Sequence, residues 1–162
     1  VALAKASGAV FTRGVFHGAW ATPEGVASTR VGNINRMMHN LRMDDFKLVY
    51  YLVTESGADL AGRDPLDVLK SIYFLNQPDG LAIAGYVAGQ KPDVNVLKKC
   101  REAYPDSVMF ASTGVNINNV KEYLDIADGA FVVTSFKKDG VFWNQIYKDR
   151  VKDFIDTVNA FR

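Results

Sequence analysis

Val108-Met109-Phe110-Ala111 runs straight into Ser112-Thr113-Gly114, and Gly129-Ala130-Phe131-Val132-Val133 runs into Thr134-Ser135-Phe136-Lys137-Lys138-Asp139-Gly140. An apolar run that ends in small hydroxyls, a lysine and a glycine is the pattern of a buried parallel strand emptying into an anion-binding loop. Thr113 and Thr134 offer hydroxyl donors, while Gly114, Ser135 and Gly140 offer backbone N–H groups that a ligand can approach closely. Lys137 adds charge. Two neighbouring strand ends of this kind predict a phosphate cup. The competing reading makes Gly114 and Gly140 simple turn residues and leaves both lysines in solvent. Since Lys137 and Lys138 are adjacent, at most one of them serves a ligand.

Other chemistry-bearing residues follow the remaining apolar runs. Arg13 lies inside one, where an unpaired guanidinium is expensive to bury and its fork suits a carboxylate or phosphate. A structural ion pair, to Glu55 for example, would satisfy it equally. Glu55 follows Leu48–Val53 and could act as a general acid or base if desolvation raises its pKa. A loop ligand for Arg or Lys is the alternative. His17, Gly85 and Gly89 also follow strand candidates and are within reach of a substrate, whereas His39 falls on a helix face. Two lone histidines make a poor metal site, so no transition metal or other cofactor is expected, and only Mg²⁺ held by carboxylates stays open. Trp20, Tyr86 and Trp143 are read as loop aromatics that lid a mouth or stack on a ligand. Cys100 has no adjacent base and reads as packing.

These residues need a scaffold that brings strand ends together. Strands are expected at 9–16, 47–53, 80–84, 107–112 and 129–134, most of them continuous apolar runs of the kind covered on both faces. Helices with start signals intervene. Asp64-Pro65 precedes Leu66, Leu69 and Ile72, Asp93 precedes Val94 and Leu97, and Asn116 precedes Ile117, Val120 and Leu124. A weaker amphipathic stretch spans 28–42, and a final stripe runs from Val151 to Phe161. Strand-helix repetition implies a parallel sheet with right-handed crossovers. Five strands fit either a complete doubly wound sheet or part of an eight-stranded (βα)8 barrel. Glycines, hydroxyls and charges gather after all five runs, which favours the barrel, where every strand end shares one mouth.

Composition narrows the function classes. The chain of 162 residues is 48% hydrophobic and carries 19 basic and 18 acidic residues, so one globular domain is expected and no overall charge argues for nucleic acid. A single cysteine and the lack of an export signal point to the cytoplasm. No apolar run approaches the ~20 residues of a membrane helix, so membrane insertion is not expected. No Gly-x-Gly-x-x-Gly or Walker sequence occurs. The opening Val1–Ala9 has no initiator methionine and reads as the last turns of a helix ending at Gly8, as if the chain began in mid-fold.

Several of these stretches resemble the BtpA family. They are Phe11-Thr12-Arg13 with Gly18-Ala19-Trp20, Thr113-Gly114-Val115 with Asn119-Val120, and Ala127-Asp128-Gly129 through Gly140. Asn33, Gly62-Arg63-Asp64 and Lys137–Phe142 are most similar to its SgcQ-like branch. The resemblance implies a TIM barrel with strands four to eight present and three N-terminal units absent, since a full barrel takes ~250 residues. It implies a nucleosidase or related enzyme acting on a small phosphorylated sugar or nucleoside. For some relatives it implies instead a non-enzymatic biogenesis factor for a membrane complex of the photosystem I type. No amphipathic basic helix or exposed apolar run for such docking is evident in the sequence. Much of the family carries Asp-Val-His-x-Lys-His on strand five, where this chain has Tyr50-Tyr51-Leu52-Val53-Thr54-Glu55, so chemistry resting on those histidines does not transfer. Open sheet edges would predict association with a missing N-terminal segment or with another copy.

Overall fold

The computed structural model describes residues 1–87 and 89–162. Its strands are β1 (Phe11–Gly14), β2 (Ala19–Thr22), β3 (Gly25–Ser28), β4 (Lys47–Val53), β5 (Ala58–Asp59), β6 (Gly80–Ala84), β7 (Met109–Ser112) and β8 (Gly129–Phe131). The helices are α1 (Ala2–Ser7), α2 (Val31–Asn40), α3 (Pro65–Leu75), α4 (Val94–Ala103), α5 (Val120–Leu124) and α6 (Lys148–Asn159). Caps expected from sequence set two helix starts. The Asp64 carboxylate accepts from the Leu66 N–H at 2.8 Å with Pro65 in the first turn, and Asp93 accepts from the Asn95 N–H at 2.8 Å. Gly8 closes α1 in the left-handed region at φ 69°.

Strand order decides between the two architectures. The five parallel strands lie as β1-β4-β6-β7-β8, which is simply their order in the chain. Each crossover therefore steps the same way, and the order reversal that defines a doubly wound sheet does not occur. Packing agrees. Leu48, Tyr50, Leu52, Leu81, Ile83, Met109 and Ala111 share one buried cluster with Leu69, Leu97, Cys100, Tyr123 and Phe154, so α3, α4, α5 and α6 all cover the same face. Leu81 and Leu97 are fully buried there, each burial contributing roughly 1.5–3 kcal/mol. Val49, Tyr51, Ala82 and Ala84 form a second cluster on the other face, with Phe110 and Phe131 against it. That face is concave: the rings of Phe11 on one edge strand and Phe131 on the other approach to 6.3 Å between centroids. The sheet is a curled, parallel half-barrel of the TIM type.

A small antiparallel sheet, β3-β2-β5, sits beside the first strand end. It was not expected, and it moves Trp20 from a loop to a strand, where the ring is buried. The interval expected to form one helix from Ser28 begins instead with β3, and α2 starts at Val31. The helix expected after Asn116 starts only at Val120, because Asn116 and Asn119 are folded into the loop before it. The expectation of no exposed apolar run is also corrected. Val141, Phe142, Trp143, Ile146 and Tyr147 are all exposed, Trp143 at 88%.

Candidate functional site

The C-terminal ends of β1, β4, β7 and β8 surround a cleft of about 620 Å³. Its lining includes Arg13, Glu55, Gly89, Thr113, Gly114, Thr134, Ser135 and Gly140 of the residues singled out from sequence, together with Asn116, Asn118, Phe142 and Arg150. Parallel strands make this convergence geometric, because all five end on one side of the sheet.

Arg13 points inward from β1 and crosses the concave face. Its Nη1 donates to Ser112 Oγ at 2.7 Å, and its guanidinium carbon sits 4.5 Å from the Phe131 ring centroid and 5.3 Å from that of Tyr51. Two aromatic faces and one hydroxyl hold the plane of the fork while spending only one of its five donors. Among the described residues no carboxylate forms an ion pair with it, Glu55 included. The cleft thus contains a positioned cation whose remaining donors are available to an anion. Tyr50, by contrast, faces the helices. Burial, and then Asp79, pushes its phenol up to about 12, and of that pair only Tyr51 belongs to the cluster on the concave face.

The loop after β7 is built for close backbone approach. Thr113 and Gly114 are both left-handed, at φ 65° and 58°. A Cβ on Gly114 would stand 2.5 Å from the Lys91 nitrogen, so only glycine fits. Asn116 and Asn119 each donate a side-chain N–H to the Gly114 carbonyl, at 3.2 and 3.1 Å, which fixes the loop from beneath. The Thr113 hydroxyl is already engaged: it accepts from the Gly85 N–H at 3.1 Å and donates to the Gln90 carbonyl at 2.9 Å. After β8 the chain makes a single turn, Thr134–Phe136, whose first N–H groups, at Thr134 and Ser135, have no acceptor among the described residues.

Lys137 does not line the cleft, and its backbone is tied to Ile146 in an isolated antiparallel bridge. Arg150 supplies the cation at that rim. Its Nε donates to the Ser135 carbonyl at 2.8 Å, and a Cβ on Gly140 would lie 3.5 Å from its Nη2. Sequence reasoning passed over Arg150. The signal was its place in the first turn of α6, where the helix dipole disfavours a cation.

His17 and Gly85 are also outside the cleft. The His17 ring is buried, with Nε2 2.7 Å from the Tyr51 carbonyl, an edge-on contact to Trp20, and its own carbonyl accepting from Trp20 Nε1 at 2.9 Å. Burial drives its pKa down more strongly than the Tyr51 hydrogen bond restores it, and Arg63 pushes the same way while Asp59 opposes. The neutral ring thus ties the small sheet to β4. Burial raises the Asp59 carboxyl, but the Ala61 N–H and the Arg63 fork at 2.7 and 3.0 Å outweigh it and hold the group low. Gly85 admits the backbone of Gln90, whose carbonyl would lie 2.3 Å from any added Cβ. Burial, and then Asp64, pushes the Cys100 thiol up to about 12, which fits inert packing. Among the described residues no group of three or more His, Cys, Asp or Glu side chains could hold a metal ion. Among the same residues no helix is long and apolar enough to cross a membrane.

The chain matches the BtpA family model over residues 1–160. It belongs to the BtpA family. It is 42% identical to the sgc region protein SgcQ of Escherichia coli over 160 residues, covering 99% of this chain and 60% of that protein. It is 24% identical to the photosystem I biogenesis protein BtpA of Synechocystis over 159 residues, covering 98% and 55%. The chain therefore spans less than two thirds of either relative. A solved structure described as native KDPGal shares the fold, with a TM-score of 0.53 and 13% identity over 96% of this chain and 63% of that one.

Proposed function

We propose that this BtpA-family chain carries the phosphate-binding part of an enzyme acting on a small phosphorylated sugar or nucleoside. One observation supports this above the others. The cleft gathers two arginines that spend few of their donors, Arg13 and Arg150, around the glycine turn at Gly114 and the N–H groups of Thr134 and Ser135. Such a set binds an anion through backbone dipoles and oriented forks. In this reading Gly114, Ser135 and Arg150 anchor the phosphate, and Arg13 orients the sugar or stabilises charge developing on it. Glu55, the one acid among the described residues of the lining, carries the proton to or from a glycosidic leaving group. The reading invokes no cofactor.

Inorganic phosphate and sugar phosphates are expected to raise the melting temperature saturably, because a ligand of the native state alone stabilises by mass action. No shift with phosphate, sugar phosphates or nucleotides overturns the reading. A second reading, an assembly factor, draws on the name of the Synechocystis relative and on the exposed Val141–Tyr147 segment, which offers apolar surface to a protein partner. Unresponsiveness to every phosphate compound, together with saturable protein binding lost on Trp143→Ser, would favour it.

A further inference from the structure

Three segments meet above β6 and β7 in a way that the phosphate-cup reading leaves unexplained. The backbone at Gln90 and Lys91 lies directly against two glycines: a Cβ on Gly85 would be 2.3 Å from the Gln90 carbonyl, and one on Gly114 would be 2.5 Å from the Lys91 nitrogen. Between those glycines stands Thr113. Its hydroxyl accepts from Gly85 N–H and donates to the Gln90 carbonyl, bridging the end of β6 and the Gln90–Lys91 segment to the loop that carries Gly114. A β-branched residue at φ 65° is a rare and costly conformation. Glycine or asparagine would adopt it with less strain. Neither a glycine nor a valine would supply both hydrogen bonds.

We propose that Thr113 is a positioning residue, whose hydroxyl clamps the Gln90–Lys91 segment over Gly85 and Gly114 and so sets the backbone of the phosphate cup. It contacts no phosphate itself, because its donor and an acceptor site are already committed within the protein. The strain at its φ is held by those two bonds and by the packing of the Gln90–Lys91 backbone. Gly114, next in the chain, takes its orientation from this arrangement. The inference rests on the phosphate-binding reading above, and its test separates the two.

Thr113→Gly removes the hydroxyl and relieves the backbone strain, Thr113→Val removes the hydroxyl and keeps the strain, and Thr113→Ser keeps the hydroxyl. Each is compared with the unaltered chain for affinity toward inorganic phosphate by calorimetry, for melting temperature, and for amide hydrogen exchange at Gly85 and Gly114. The expected result is about tenfold weaker phosphate binding in Thr113→Gly and Thr113→Val, with affinity restored in Thr113→Ser. Thr113→Gly should keep most of its melting temperature while Thr113→Val loses some, so affinity and stability part company. Exchange at Gly85 should speed up in both variants that lack the hydroxyl. Unchanged phosphate affinity in Thr113→Gly, in a chain whose unaltered form binds phosphate, overturns the clamp alone. An unaltered chain that binds no phosphate overturns the site reading, and the clamp's role in it falls as well.

Discussion

Two arginines at opposite ends of the sheet are held in opposite ways. At the N-terminal ends of the strands, Arg101 donates to the carbonyls of Ile126, Pro105 and Ser107 and to the Asp128 carboxylate, at 2.7 to 3.0 Å. Asp128 in turn accepts from the Met109 N–H at 2.8 Å, so the pair staples the starts of β7 and β8. At the C-terminal ends, Arg13 has a single hydroxyl acceptor and two aromatic faces. One guanidinium is consumed by the scaffold; the other is aimed by it. In a barrel that division is expected, since the bottom face keeps the fold together and the mouth does chemistry.

The largest expected effect tests the bottom. Arg101→Leu should cost about 2–3 kcal/mol of stability, because partly buried carbonyls lose their donor, while leaving phosphate affinity unchanged. Chemical denaturation alongside phosphate titration checks both halves. The partner adds a pH dependence. Burial raises Asp128, but the Met109 N–H and the Arg101 fork outweigh it and hold the carboxyl low. Its contribution is therefore complete above the ordinary carboxylate range and is lost as pH falls through the lowered value. The exposed side of the pair keeps that contribution modest. At the mouth the effect should invert. Arg13→Met should leave stability equal or slightly higher, since a partly buried cation without a counter-charge is removed, and should weaken phosphate-ligand binding by about 2 kcal/mol. A destabilised Arg13→Met chain with intact affinity would erase the contrast.

How much of this was legible in the sequence follows the same division. Lys47–Val53 and Gly80–Ala84 were bounded correctly because, past the exposed Lys47, every residue in them is buried and constrained to be apolar, aromatic or small. The expected 9–16 strand shrank to Phe11–Gly14, and 129–134 to Gly129–Phe131, where the chain leaves the sheet before its apolar character ends. The hairpin of β2 and β3 was missed although Pro23-Glu24 sits in its turn. Its strands are only four residues long, and β3 is exposed throughout, so no alternation marks it. The loops that line the cleft were visible as hydroxyls and glycines after β7 and β8. Which cation reaches their rim was not, since adjacency in sequence pointed to Lys137, and the turn after β8 brings in Arg150 from 15 residues beyond Ser135. Nor could Thr113 be told from Thr134, because a committed hydroxyl and an available one look the same in sequence.

Arg150 gives a smaller, sharper test of the mouth. It is exposed in the first turn of α6, so Arg150→Ala should leave the stability within about 0.5 kcal/mol of the original. Phosphate affinity should fall about tenfold. Arg150→Lys should restore little, since an ammonium cannot both hold the Ser135 carbonyl and present a second donor edge to the ligand as a fork does. Full rescue by lysine would mean that Arg150 acts only as a point charge.

The smallest expected effect probes the seam between mouth and scaffold, where His17 joins the small sheet to β4. Its pKa in the folded chain lies below the ordinary 6.5, chiefly through burial. The unfolded chain therefore binds the proton first, and stability is complete above pH 6.5 and declines as pH falls toward the lowered value. His17→Gln keeps a side-chain N–H for the Tyr51 carbonyl but cannot titrate, so it should flatten the slope of melting temperature against pH between 7 and 5 at about the same stability near neutrality. The Asp128 step, which belongs to the base of the sheet, should persist in that variant at lower pH. Two separable acid steps, one at the His17 seam and one at the base of the sheet, are what the comparison requires, and a single step unaffected by His17→Gln would break it.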